Sequence, residues 1–293
     1  MTTVGVSSTL APPGPPSRPA STAALGWWRQ LPALAHIART RAAAMYAYRN
    51  TMLLFLGVSV VQIFMLKKVW GALYAARPGV LAISLGDLIV YLTVANLIVW
   101  SFPTHTVSRY LRERIREGSV VFDLMRPVSF VPQMIAQLVG ALGGALVIIV
   151  IALPVVAFAG SLALPADASA AGMFLVSLLC AYAIAGLLAL LLAMVAFWTL
   201  EIDGLTMLYV LVSGFLSGAL VPVSVFPGVL RTLVAWLPFQ ATTYVPASIY
   251  VGALDGAAAW RSIGVQLAWV AVLGVLAALV WRRAMLRVVV QGG

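Results

Sequence analysis

Apolar and polar positions along this chain are grouped in long blocks rather than mixed residue by residue. Apolar runs fall at about 51–70, 85–106, 133–160, 171–198, 205–222 and 263–281. Most come close to the roughly 20 residues that a helix needs to cross a hydrocarbon core of about 30 Å. The pattern predicts an all-α integral membrane fold with six transmembrane helices. Residues 223–250 are apolar too, but Pro227, Pro238 and Pro246 break them into pieces too short to cross. Irregular backbone facing lipid leaves polar groups unsatisfied, so a re-entrant pair of short helices is expected there, before the last span.

Ahead of the first run, at 26–50, Trp27, Leu31, Leu34, Ala38, Ala42 and Met45 recur at helical spacing, with Arg29, His36 and Thr40 opposite. Tryptophan on one face with arginines around it describes an amphipathic helix lying in the headgroup layer. Residues 1–25 are rich in Pro, Ser, Thr and Ala. They bury too little apolar area to offset their ordering entropy and are expected to be disordered. They lack the basic start and apolar core of a signal peptide. The chain thus divides into a leader, 1–25, and one transmembrane domain, 26–293.

One polar block interrupts the apolar body. Between 108 and 130 stand Arg109, Arg112, Glu113, Arg114, Arg116, Glu117, Asp123 and Arg126, eight of the chain's 26 charged side chains. Residues 110–116 suit a short helix that Gly118 can stop. Glu113 and Glu117 share one face, and Arg112 and Arg116 the adjoining one. Two readings follow from the residues alone. The block is a rigid projection that docks on a soluble partner through oriented charge pairs, or it is a solvated loop whose arginines anchor topology.

Composition narrows the class. At 63% hydrophobic and 9% charged, the chain is far from a soluble domain, where about 25% charged is usual. Its net charge of +10 reads as topology rather than nucleic-acid binding, because basic residues collect on the cytoplasmic side. With six spans, thirteen basic residues (leader, amphipathic helix, polar block and tail) share one side and five the other. The polar block and both termini are therefore expected in the cytoplasm. Sixteen arginines against two lysines hint at a GC-rich bacterial genome, hence a bacterial cytoplasmic membrane.

Chemical motifs are missing. There is no G-x-x-x-x-G-K-[ST] loop, no H-E-x-x-H and no G-x-S-x-G. The single cysteine, Cys180, allows no internal disulfide, and His36 and His105 lack ligand spacing. No catalytic, cofactor-binding or metal site is expected in this chain. Ionisable groups near the midplane of the predicted spans, which ion-coupled transporters need, are lacking as well. A secondary transporter or channel working alone is the alternative, and a scaffold or membrane enzyme a more distant one.

Ile115-Arg116-Glu117-Gly118 followed by Phe122-Asp123-Leu124-Met125-Arg126-Pro127-Val128-Ser129 resembles the stretch after the second span of ABC-type export permeases, type-2 class, daunorubicin-like branch. Ser217-Gly218, Val221-Pro222, Phe226-Pro227, Leu237-Pro238-Phe239, Pro246 and Gly252 resemble that family's second signature. Met125 replaces a leucine common in the family, a mild departure, and the Pro-rich leader has no counterpart. The resemblance implies a non-catalytic permease of an exporter for amphipathic or hydrophobic cargo, a drug, an antibiotic or a lipid-like molecule. Two permeases, identical or related, would sit among membrane lipids over cytoplasmic ABC ATPase subunits that bind ATP and Mg. It makes the loop 107–132 the coupling element, with Arg109, Arg112, Glu113, Arg116, Glu117, Gly118, Asp123 and Arg126 as its site residues. It puts the pathway at the permease–permease interface, with Asn96, Ser213, Phe215 and Ser217 as candidates. Small polar residues of that kind serve equally often to join helices.

Overall fold

Apolar segments of this length fold as helices because, in lipid, a helix satisfies its backbone groups within one segment. A computed structural model describes residues 27–47, 49–76, 83–102, 104–126, 128–158, 163–199 and 202–291. The helices are α1 (Trp27–Ala47), α2 (Arg49–Ala76), α3 (Leu85–Ser101), α4 (Thr104–Arg116), α5 (Val120–Leu124) and α6 (Phe130–Phe158). They continue as α7 (Ala168–Met194), α8 (Ala196–Thr199), α9 (Asp203–Leu216), α10 (Gly228–Ala235), α11 (Tyr244–Tyr250) and α12 (Gly256–Gln291). No strand occurs among the described residues. The leader, the Arg77 loop and Glu201 lie outside them.

Three stretches of the described residues are long and apolar enough to cross a membrane: 56–76, 168–199 and 256–286. Shorter apolar helices are α3, α9 and residues 130–143 of α6. Several boundaries differ from the sequence reading, each for a local reason. α2 runs past Lys67 and Lys68, because Trp70 is buried against α3 and the Tyr74 hydroxyl donates to the Ile83 carbonyl at 2.8 Å. α3 stops at Ser101, where Phe102 turns extended ahead of Pro103, which disfavours helix at the residue before it. α12 starts seven residues before the apolar run it was read from and continues past Trp281.

The largest change concerns the fifth run. α9 ends at Leu216 and spans 14 residues, about 21 Å at 1.5 Å per residue. Gly218 then takes φ +82°, and a side chain there would press on Tyr91, Tyr244 and Val223. The Tyr91 hydroxyl donates to the Gly218 carbonyl at 2.8 Å, and the Tyr244 amide to the Ser217 carbonyl at 3.0 Å. This junction folds the chain back from α9 and ties it to α3 and α11. A 3-10 turn, Val223–Val225, then leads to the short helices α10 and α11, matching the expected pair of short helices.

α7 is the hub. Of its apolar window 67% is buried, against 22% in α12 and 17% in α2. α4, α11 and α12 all pack on it. Gln266 of α12, fully buried, donates to the carbonyls of Ser177 (3.1 Å) and Ala241 (2.7 Å), so a polar group joins α12 to α7 and to the segment before α11. α1 lies lengthwise along α6, running the same way. Gln30 meets Ser129, Ala38 and Arg41 meet Gly140, and Ala42 meets Gly143. The sequence reading puts an amphipathic helix here in the headgroup layer, and the structure adds its packing on α6. The glycines of α6 let α1 approach so closely that a side chain at 140 would strike the Ala38 carbonyl.

Candidate coupling site

Leu111 and Val120 are buried in one cluster with Phe130, Met134, Phe197 and several residues of α7 and α12. This apolar stripe seats α4 and α5 on the ends of the longer helices. Trp281 of α12 stacks on Phe130 at 3.9 Å and meets Phe197 edge-on at 5.9 Å, closing the same cluster. Gly118 (φ +69°) ends α4, its amide donating to the Ile115 carbonyl at 3.1 Å. A left-handed residue is a common helix stop and glycine adopts it without a Cβ penalty.

Asp123 fastens α5 to α4. Its side chain is 1% exposed and its carboxylate faces three partners. The Tyr110 hydroxyl donates to Oδ2 at 3.1 Å; Arg114 Nε stands 3.6 Å from Oδ2, and Arg126 Nη2 3.4 Å from Oδ1. The Arg114 guanidinium also lies over the Tyr110 ring, 5.3 Å from its centre. Burial, and then the Asp123 charge, push the Tyr110 phenol above its ordinary value, so it remains a donor at neutral pH. Gln133, 1% exposed, donates to the carbonyls of Asp123 (3.0 Å) and Val128 (2.8 Å). The Ser129 amide donates to Gln30 Oε1 of α1 at 3.2 Å. The loop is pinned from both ends.

Arg112 is 16% exposed and its Nη1 donates to Asp203 Oδ2 of α9 at 2.8 Å. The sequence reading gave Arg112 to a partner surface; the structure turns it inward to α9. Asp123 and Arg126 likewise serve the loop's own geometry. Arg109, Glu113, Arg116, Glu117 and Gly118 remain exposed. Beside them lies an apolar tip: Val121, Phe122 (67% exposed) and Met125 (74%). Apolar residues on the exposed side of a charged loop are the feature missed in the sequence. Their signal was position, apolar side chains three apart in the most polar stretch of the chain. Tyr110, Gln30 and Gln133 were missed too.

The four pathway candidates are not brought together. Asn96 Oδ1 accepts from the Ser59 hydroxyl at 2.7 Å, joining α2 to α3. The Ser213 and Ser217 hydroxyls donate to carbonyls of α9, those of Val210 and Gly214. Phe215 stacks on Phe226 at 5.2 Å. A groove of about 620 Å³ does run between α4 and α9, with Arg109, Arg112, Glu113 and Asp203 on its charged side and Met207 and Leu211 on its apolar side.

A family model described as ABC-2 family transporter protein matches residues 47–292, from the end of α1 through α12. The chain belongs to the ABC-2 transporter family: it is a multi-pass membrane protein, the permease component of an ABC transporter. No curated protein matches it.

Proposed function

We propose that this permease is the six-span transmembrane subunit of an ATP-driven exporter in a bacterial cytoplasmic membrane, with the coupling loop and both termini in the cytoplasm. Its cargo is an amphipathic or hydrophobic molecule, a drug, an antibiotic or a lipid-like compound. Separate ATPase subunits bind ATP and Mg, and the exposed tip of α4 and α5 seats in them. The observation that carries this reading is the double character of that element, pinned inside and carrying an exposed apolar tip beside its exposed charges. A push on the tip cannot be absorbed by the loop. It passes to α9 through Arg112 and Asp203, and to α7 and α12 through the cluster around Leu111.

Two further features support the arrangement. Only Thr206 of α9 is buried, while Met207, Leu208 and Leu211 stay open, a face suited to a second permease chain. The groove between α4 and α9, charged on one side and apolar on the other, suits amphipathic cargo entering from the cytoplasmic side. The test is reconstitution with the ATPase partner in vesicles, following transport and vanadate-sensitive ATP hydrolysis together. Arg112→Glu should leave assembly and hydrolysis in place but lower transport per ATP about tenfold, by loss of a charged hydrogen bond worth roughly 1.5–3 kcal/mol. Arg112→Glu with Asp203→Arg should restore most of it. Transport by the permease alone, driven by an ion gradient, would establish the stand-alone transporter instead.

A further inference from the structure

Between α2 and the start of α3 lies an open groove of about 810 Å³. Val60, Ile63 and Phe64 of α2 and Ile89 of α3 make its walls apolar, and Lys67 and Lys68 stand in it. These are the only lysines of the chain. The Lys68 ammonium stands 5.4 Å from the centre of the Phe64 ring. α2 begins at Arg49, so the lysines follow about 27–29 Å further along the helix at 1.5 Å per residue. That distance nearly equals a hydrocarbon core of about 30 Å. A hydrocarbon core entered at Arg49 would put the ammonium groups at the depth of lipid phosphates, with an apolar trough on the membrane side of them. Asp87, in the first turn of α3, is engaged by Ser84, whose hydroxyl donates to it at 2.7 Å.

We propose that this groove is a binding site for an acidic phospholipid, its phosphate held by Lys67 and Lys68 and its acyl chains along Val60, Ile63, Phe64 and Ile89. Lysine suits this role as a mobile point charge on an apolar stem. A zwitterionic lipid carries a cation of its own and gains less from two ammonium groups than a lipid with net negative charge. The site is separate from the coupling loop, and its occupancy needs neither ATP nor a partner.

The test uses the full chain in nanodiscs of mixed phosphatidylcholine and phosphatidylglycerol, with the lipids retained after detergent extraction identified by mass spectrometry. Phosphatidylglycerol should be retained over phosphatidylcholine. Lys67→Gln with Lys68→Gln should lower that preference about tenfold, and Lys67→Arg with Lys68→Arg should keep it. Equal retention of the two lipids, or an unchanged preference in the glutamine variant, overturns the proposal. So does a glutamine variant that changes oligomeric state but not lipid retention, which would make the groove an interface between copies. Because the readout is bound lipid, either result leaves the transport reading to its own test.

Discussion

Asp123 sits where a lone carboxylate would be costly, and its place is justified by what converges on it. A buried charge needs partners, and Tyr110, Arg114 and Arg126 supply them from both sides of the turn at Gly118. Asp123→Ala should destabilise the protein by about 1–3 kcal/mol, seen as a lower thermal midpoint, and expose the loop to trypsin after Arg114 and Arg116. An unchanged midpoint and digest would mean that the carboxylate does not hold the loop. At Asp167 the effect depends on pH. Its carboxylate accepts from the Ala170 amide at 2.6 Å and the Ser169 hydroxyl at 2.8 Å, capping α7. These bonds, the amide first, hold it below the usual carboxylate range. The cap is thus complete above about pH 4, the unfolded value, and is lost as pH falls through the lowered folded value. Amide exchange in the first turn of α7, corrected for its intrinsic rate, should quicken over that window. With Asp167→Asn it should stay flat.

Among the elements, α1 and α6 form the closest pair, and Gly140 sets their distance. Gly140→Leu should force α1 away and cost about 1–3 kcal/mol by overpacking, releasing the Gln30 contact to Ser129 as well. Gly143→Ala should be tolerated, since its new methyl would meet Ala42 at an ordinary 3.7 Å. Differential scanning of the two variants separates them; equal loss in both would mean that the pair is not set by this contact. Elements with a water-facing side were the legible ones. α4 carries a dense run of charge in an apolar chain, so a helix there and its stop at Gly118 could be read directly. The end of α9 could not, because residues 205–222 are apolar almost throughout and composition does not record a left-handed glycine. α2 continues past residue 70, where its apolar run was read to end, because a helix can run on beyond the apolar stretch that marks it.

For the whole molecule, the helical class and the family were visible in the sequence. The inward roles of Arg112 and Asp123 were not, since spacing shows that a charge is present and not which way it turns. Nor were the hydrogen bonds of Asn96, Ser213 and Ser217, for the same reason: a small polar group in an apolar helix can face a pathway or a neighbour. Phe122 and Met125 passed unnoticed because one more apolar residue carries little information in a chain that is 63% hydrophobic. They now carry the central claim, that an ATPase moves this permease by gripping the tip of α4 and α5. The direct measurement is ATP-driven transport by the reconstituted complex with Phe122→Asp and Met125→Asp combined. Both side chains are exposed, so the variant should fold with an unchanged thermal midpoint while losing the ATPase from the complex and transport with it. A folded variant that still holds the ATPase and transports at the original rate would contradict the account.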